Sequence, residues 1–295
     1  MRVIILTRSD KHRFNKDGTE KAEGGFCVAG VLEDDPAKWV RLIGSHEYGK
    51  ITYDEARYAD GTLCEPLDII DVDACLIDTS VRDSLTAQRL PGFENYPIEL
   101  LDVQPENYLV SGRFQLVRQI SIDDFLALTP TSTCPYIFSN TSSSLSVSEA
   151  ITNHCSLVMV KVDHLELYPQ DEFKAHYKAR FRYQGQEYDD ITVTDPDYAA
   201  GLSDFARLVF GDTYLVISVG EKFRDRHYRD RHYKLIAKIF RVVYTIPNNR
   251  FGFFHSYRDC RYLKAYTDVT RALWQELIDQ GLKECNVCKE RLGSE

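Results

Sequence analysis

The apolar segments of this chain are short, and their length points to strands. Residues 2–7, 26–32, 38–43 and 67–76 are apolar or alternating runs rich in Val and Ile, separated by Gly, Asp and Pro. Such runs between turn formers have strand dimensions, not helix dimensions. Residues 10–25 are polar and hold Gly18, Gly24 and Gly25, so a mobile loop is expected between the first two strands. Ser121 followed by Asp124 predicts a capped short helix through Phe125-Leu126. The opening Val3-Ile4-Ile5-Leu6 lies between Arg2 and Arg8, too short for a signal core or a membrane span. A soluble cytoplasmic protein without a membrane partner is expected.

The second half repeats the pattern. An alternating run over 156–167 reads as one long strand, and 174–183 pairs with 187–194 across Gln184-Gly185-Gln186. Residues 197–210 suit a helix, 213–219 a strand and 232–245 another strand. At about 100–200 residues per domain, 295 residues suit two domains and a small appendage. Two mostly antiparallel β modules, each with a short helix, predict a mainly β (α+β) chain of two tandem OB-like barrels. The boundaries are 1–128 and 149–245 for the barrels and 246–295 for a C-terminal module. Between the barrels, 129–148 carries eleven Ser or Thr in twenty positions and reads as a junction, with 135–138 a candidate strand.

The formal net charge of −9 argues against indiscriminate coating of nucleic acid. It hides a reversal: residues 222–264 hold twelve Lys or Arg against three Asp, a local +9. Phe223, Tyr228, Tyr233, Phe240, Tyr257 and Tyr262 are interleaved with those cations. Cations that track phosphates and rings that stack on bases make a single-strand nucleic-acid surface. The binding candidates are Lys222, Arg224, Arg226, Tyr228, Arg229, Arg231, Tyr233, Arg258, Arg261 and Lys264. The plainer alternative is a solvated basic face that pairs with the acidic remainder of the chain. Within the stretch, Arg224-Asp-Arg-His-Tyr is followed at once by Arg229-Asp-Arg-His-Tyr, a tandem copy that reads as a loop lengthened by duplication. His227 and His232 there are candidates for anion contact or plain surface exposure.

Cys27-Val-Ala-Gly30, Trp39-Val-Arg-Leu42, Leu67-Asp-Ile-Ile70, Gln104-Pro-Glu-Asn107, Phe181-Arg-Tyr-Gln-Gly185, Val193-Thr-Asp-Pro196, Ile217-Ser-Val-Gly-Glu221 and Tyr233-Lys-Leu-Ile-Ala237 follow one another in an order that resembles the bacterial dual OB-containing domain. The likeness covers roughly residues 1–245. It implies two OB-type barrels, an association with prokaryotic antiviral (phage) defence, and nucleic-acid or nucleotide binding.

Of eight cysteines, Cys27, Cys64, Cys75, Cys134 and Cys155 read as ordinary buried thiols. The others cluster: His255-x4-Cys260, twenty-four residues, then Cys285-x2-Cys288. Three thiolates and one imidazole complete a tetrahedral Zn²⁺ set, so a structural zinc is expected. Free thiols and a packed His255 are the alternative. Asp268 reads as the cap of a helix over 269–280 ending before Gly281. The segments 254–264 and 281–288 also resemble the metal-binding domain of Ada-type DNA repair proteins. The first ligand departs in type and spacing, so the methyl-transfer activity is not carried over.

No catalytic constellation stands out, which weighs against an enzyme. Asp189, Asp190, Asp195 and Asp197 suit Mg²⁺ or acid–base work, but Asp195-Pro196 before a helix is more simply a cap. Three functions remain open. The first is a nucleic-acid-binding accessory protein taking DNA or RNA, single strands preferred. The second is a nucleotide sensor or enzyme with a pocket near Asp195 and Ser218. The third is an adaptor whose acidic first barrel contacts a partner effector protein.

Overall fold

The computed structural model describes residues 1–10, 25–46, 49–77, 100–129, 131–171, 174–199, 207–225, 227–246, 249 and 251–294. Most of the expected loop between the first two strands lies outside them. The chain is mostly β, with two curled sheets and a small C-terminal module.

Strands β1 (Arg2–Asp10), β2 (Gly25–Leu32) and β3 (Trp39–Ile43) form an antiparallel meander, and β4 (Ile51–Thr52) pairs with β2. The run expected as one strand over 67–76 is two, β5 (Asp68–Asp71) and β6 (Ala74–Leu76). After a short helix α1 (Leu100–Val103) come β7 (Asn107–Val110) and β8 (Gln115–Gln119). The break curls the sheet. β5 pairs antiparallel with β1, β6 pairs antiparallel with β7, and β7 lies parallel to β3. One half thus extends the β1 edge of the meander and the other reaches the β3 edge through β7, which is OB topology. Gly30 serves this curl: β1 is bulged between Ile5 and Thr7, and a Cβ at position 30 would lie 1.9 Å from the Ile4 carbonyl oxygen. The expected helix follows as α2 (Ile122–Leu128), with Ser121 Oγ accepting from the Asp124 amide at 3.1 Å.

Residues 131–148 contribute three side chains to the core of the second barrel. Ile137, Phe138 and Leu145 are buried in the second core, and 137–139 form a 3₁₀ turn where a strand was the candidate. β9 (Ser144–Ser146) and α3 (Val147–Thr152) complete the segment, with Ser146 and Glu149 capping the helix reciprocally. The single strand expected over 156–167 is also two, because the chain turns at Asp163-His164. β10 (Leu157–Val162) and β11 (Leu165–Asp171) therefore meet different partners. β12 (Lys174–Tyr183) and β13 (Gln186–Val193) form the expected hairpin across Gln184-Gly185. Of the helix expected over 197–210, the described residues form only α4 (Pro196–Ala199), and the end is β14 (Leu208–Phe210). β15 (Thr213–Arg224) and β16 (Asp230–Thr245) are the longest strands. β14 pairs with β11, β15 with β16, and β16 runs parallel to β13. The second barrel therefore repeats the first, broken fourth strand included.

The barrels share one core, in which Ile4, Leu6, Val31 and Ile69 cluster with Met159, Val216, Phe240 and Val242. A polar latch sits beside it. The buried Arg41 donates to Ser156 Oγ at 2.9 Å and Ser218 Oγ at 3.2 Å. Glu106 accepts from the Ser156 amide at 2.6 Å, and Gln104 donates to the Val219 carbonyl at 3.0 Å. Of the five isolated cysteines only Cys64 is fully buried, and Cys75 on β6 and Cys134 before the 3₁₀ turn are exposed, against expectation.

The C-terminal module comprises β17 (Phe253–Phe254), β18 (Thr270–Leu273), α5 (Trp274–Asp279), β19 (Lys283–Glu284) and α6 (Asn286–Ser294). The helix expected over 269–280 keeps only its second half. β16 runs past the barrel and leaves backbone groups to pair, so 270–273 is taken as a strand in register with Val242–Thr245. Leu273, not Asp268, precedes the helix, and Gly281 follows the C-cap Gln280 with φ 80°, the place expected for it.

Candidate metal centre and basic hairpin

His255, Cys260, Cys285 and Cys288 converge. Their ligand atoms all lie within 4.8 Å of one another, and all four residues are buried. The local structure explains how distant residues meet. β17 and β19 pair in parallel, Phe253 with Lys283 and Phe254 with Glu284, so His255 and Cys285 leave the ladder side by side. Cys260 sits in a turn in which its amide donates to the Tyr257 carbonyl at 3.2 Å. Cys288 lies in the first turn of α6, three residues after Cys285, with its sulfur 4.0 Å from His255 Nδ1. Burial pushes the Cys288 thiol up to about 12, with backbone hydrogen bonds at Ser256 and Tyr257 pulling the other way. Burial lowers His255, favouring neutral imidazole. A cation among three thiols would reverse the first effect by stabilising thiolate, while neutral imidazole is already the ligating form. The set could hold a metal ion, and its sulfur-rich tetrad suits zinc.

The centre is built into the second barrel. Its seat is the break between β14 and β15, where Asp212 N donates to the Ser256 carbonyl at 2.9 Å. A Cβ on Gly211 would lie 2.4 Å from that carbonyl oxygen, so glycine permits the approach. Tyr244 of β16 and His255 exchange backbone hydrogen bonds at 2.8 and 2.9 Å. Cys260, Cys285 and Cys288 belong to the core cluster that joins the barrels.

The duplicated pentapeptide forms the tip of the β15–β16 hairpin, and its two copies adopt different structures. Arg224 ends β15 opposite Asp230, which begins β16, and Phe223 faces Arg231. Between them the Asp225 amide donates to the Arg229 carbonyl and the Tyr228 amide to the Asp225 carbonyl, both at 2.9 Å. Tyr228 takes φ 59° at the tip and is 84 % exposed. Asp225 accepts from the amides of Arg229 and His227, which hold its carboxyl below the usual range. Arg224 pairs with Asp230 at 3.2 Å and Arg229 with Asp225 at 2.9 Å. Phe223 and Tyr233 meet edge-to-face at 6.0 Å. Beside them a groove of about 460 Å³ is lined by both rings, Arg229, Arg231 and the serines 142–144. Arg226 lies outside the described residues.

The +9 stretch is not one surface. Lys234 is 1 % exposed, donates to the Asn140 carbonyl and Oδ1 at 2.6 and 2.9 Å, and is lowered by burial to about 7. Lys238 binds Asp195 and Asp197, and Arg241 lies between the rings of Phe210 and Trp274 at 4.1 and 4.0 Å. Phe240 and Tyr257 are core residues. His232 is also buried, with Nδ1 2.9 Å from the Gly220 carbonyl oxygen, where exposure was the expectation. Strand alternation turned His232 and Lys234 inward. Lys222, Arg224 and Arg229 remain exposed at the hairpin, as do Arg258, Arg261 and Lys264 on the metal module, with Arg231 and Tyr233 half-buried.

The carboxylate group at the end of β13 is already engaged. Asp195 is fully buried, accepts from the Asp197 amide at 3.2 Å and the Ile239 amide at 2.8 Å, and is raised by burial. Asp189 pairs with Arg180 and Asp190 with Lys178, both at 3.0 Å. Ser218 faces Arg41 at the latch, so the pocket expected near Asp195 and Ser218 has both residues occupied. Reading charge and ligand spacing missed this latch, although Arg41, Gln104, Glu106 and Ser218 all stand in the ordered motifs of the sequence.

Among the described residues no helix is long and apolar enough to cross a membrane. The dual OB-containing domain model matches residues 1–79 and 96–239. Neither curated proteins nor solved structures gave a match.

Proposed function

The chain belongs to the dual OB-containing domain family, and from that premise we propose that it is a cytoplasmic nucleic-acid-binding accessory protein, serving prokaryotic antiviral defence, with single strands as its ligand. The observation that carries this reading is the position of the hairpin tip. In OB barrels the loop joining the fourth and fifth strands is one of the recognition loops. In the second barrel that loop is the β15–β16 tip, where exposed cations stand beside exposed Phe223 and Tyr228. Exposed rings beside cations bind bases and phosphates together, and a ring stacks only on a base that is not already stacked in a duplex, which favours a single strand.

The metal in this reading is zinc, held by His255, Cys260, Cys285 and Cys288, and its role is structural: it ties the C-terminal module to the barrel core. The test is a gel-shift panel of single- and double-stranded DNA and RNA. Binding is expected for single strands, weakening steeply with salt. No shift for any oligonucleotide at low salt would overturn the reading and turn attention to a partner-protein role for the same surface.

A further inference from the structure

We propose that a second groove, beside the metal cluster, takes one unpaired nucleobase of the bound strand, an inference that rests on the nucleic-acid reading above. The groove measures about 500 Å³, within the range of small-ligand sites. Phe251, Phe253, Tyr262 and Tyr266 line it and are 74, 42, 56 and 43 % exposed. Four exposed rings around one concavity mark a binding site, since scattered surface apolar residues have no reason to converge.

Charge selects the occupant. Arg261 also lines the groove and lies 5.1 Å over the Tyr262 ring, so that face already holds a cation. A second cation, such as a methylated ammonium, is repelled there. A flat, neutral base attached to phosphate is attracted by both ring and guanidinium. Glu290 is the one acidic side chain among the described lining residues, and it can accept a hydrogen bond from an exocyclic amine. Arg258 and Lys264 flank Arg261 in sequence and are exposed, which gives the backbone of the strand a path beyond the groove. His255 and Cys285 form part of the wall, so the metal centre fixes the shape of the base site.

The hairpin lies at the start of the sixteen-residue β16 and the groove beside Ile246, just past its end, so a dinucleotide carrying 2-aminopurine does not reach both, and its fluorescence reports stacking. Titrated into the full chain, it should be quenched. The double variant Phe251→Ala, Tyr266→Ala should lose roughly 5- to 100-fold in affinity, while Tyr266→Phe, which keeps the ring, should retain binding. Retained zinc and an unchanged melting temperature would show that the double variant is folded. No quenching, or equal binding by wild type and the double variant, overturns the base site. Two arms separate this from the hairpin reading. A longer single strand that depends on Arg229 and Arg231 while the dinucleotide stays silent ends the groove proposal alone. A dinucleotide that depends on Phe251 and Tyr266 while the longer strand ignores the hairpin arginines keeps the groove and ends the hairpin surface.

Discussion

In the first barrel the gap between β5 and β6 receives Met1, with the Val72 amide donating to its carbonyl at 2.9 Å. In the second barrel the corresponding gap between β14 and β15 receives the metal module through Ser256. The fifth strands differ in proportion: β7 has four residues and β16 sixteen. The long strand reaches beyond the barrel at both ends, as the basic hairpin at one and as the edge that captures β18 at the other. Charge follows the same division, since residues 1–128 hold 14 Lys and Arg against 23 Asp and Glu, while 222–264 are strongly basic. A broken strand leaves free backbone groups in either barrel. What fills them decides which barrel is self-contained and which becomes a platform.

The sharpest way to break this comparison is to remove the metal. Apparent binding free energies of structural zinc run to ~10–16 kcal/mol, so chelation, or Cys285→Ser with Cys288→Ser, should unfold the C-terminal module and loosen the second barrel while β1–β3 stay protected. Elemental analysis for one zinc per chain and site-resolved hydrogen exchange check this; equal loss of protection in both barrels would refute the asymmetry. The latch tests their dependence on each other. Arg41→Ala removes charged hydrogen bonds to Ser156 and Ser218 and should cost about 1.5–3 kcal/mol, read from the urea midpoint. A second transition would show that the barrels then unfold separately.

Smaller effects probe the hairpin. Removing one phosphate-contacting arginine, such as Arg229, should lower the log–log salt slope of binding by roughly 1. Tyr228→Ala should cost about 1–3 kcal/mol of binding with little change in slope, because stacking releases no counterion. A pH test, independent of ligand, concerns the buried Lys234. Burial holds its folded pKa at about 7, below the ordinary 10.5, so the unfolded chain binds the extra proton between those values. The penalty of the buried charge is therefore complete below pH 7 and is relieved as pH rises towards 10.5. Wild-type stability measured against Lys234→Met should climb over that window, by at most about 1.4 kcal/mol per pH unit, and stay flat below it. A fall with rising pH would refute the assignment.

Local sequence determined a good deal here. Alternation and turn residues marked β1–β3 and the β12–β13 hairpin, Ser121 marked its helix, and ligand spacing marked all four members of the Cys/His cluster. These signals act within a few residues or through an unusual residue type. The breaks in the strands over 67–76 and 156–167 were invisible, because an apolar alternating run reads the same when its two halves pair with different neighbours. Residues 270–273 became a strand only because β16 offered an unpaired edge. The basic run was legible as charge, but not as three fates: buried in the core, engaged at the inter-element contacts, or exposed on the hairpin and metal module. Side-chain direction along a strand and the identity of its neighbours are set across the whole sheet, so only the tertiary structure decided them.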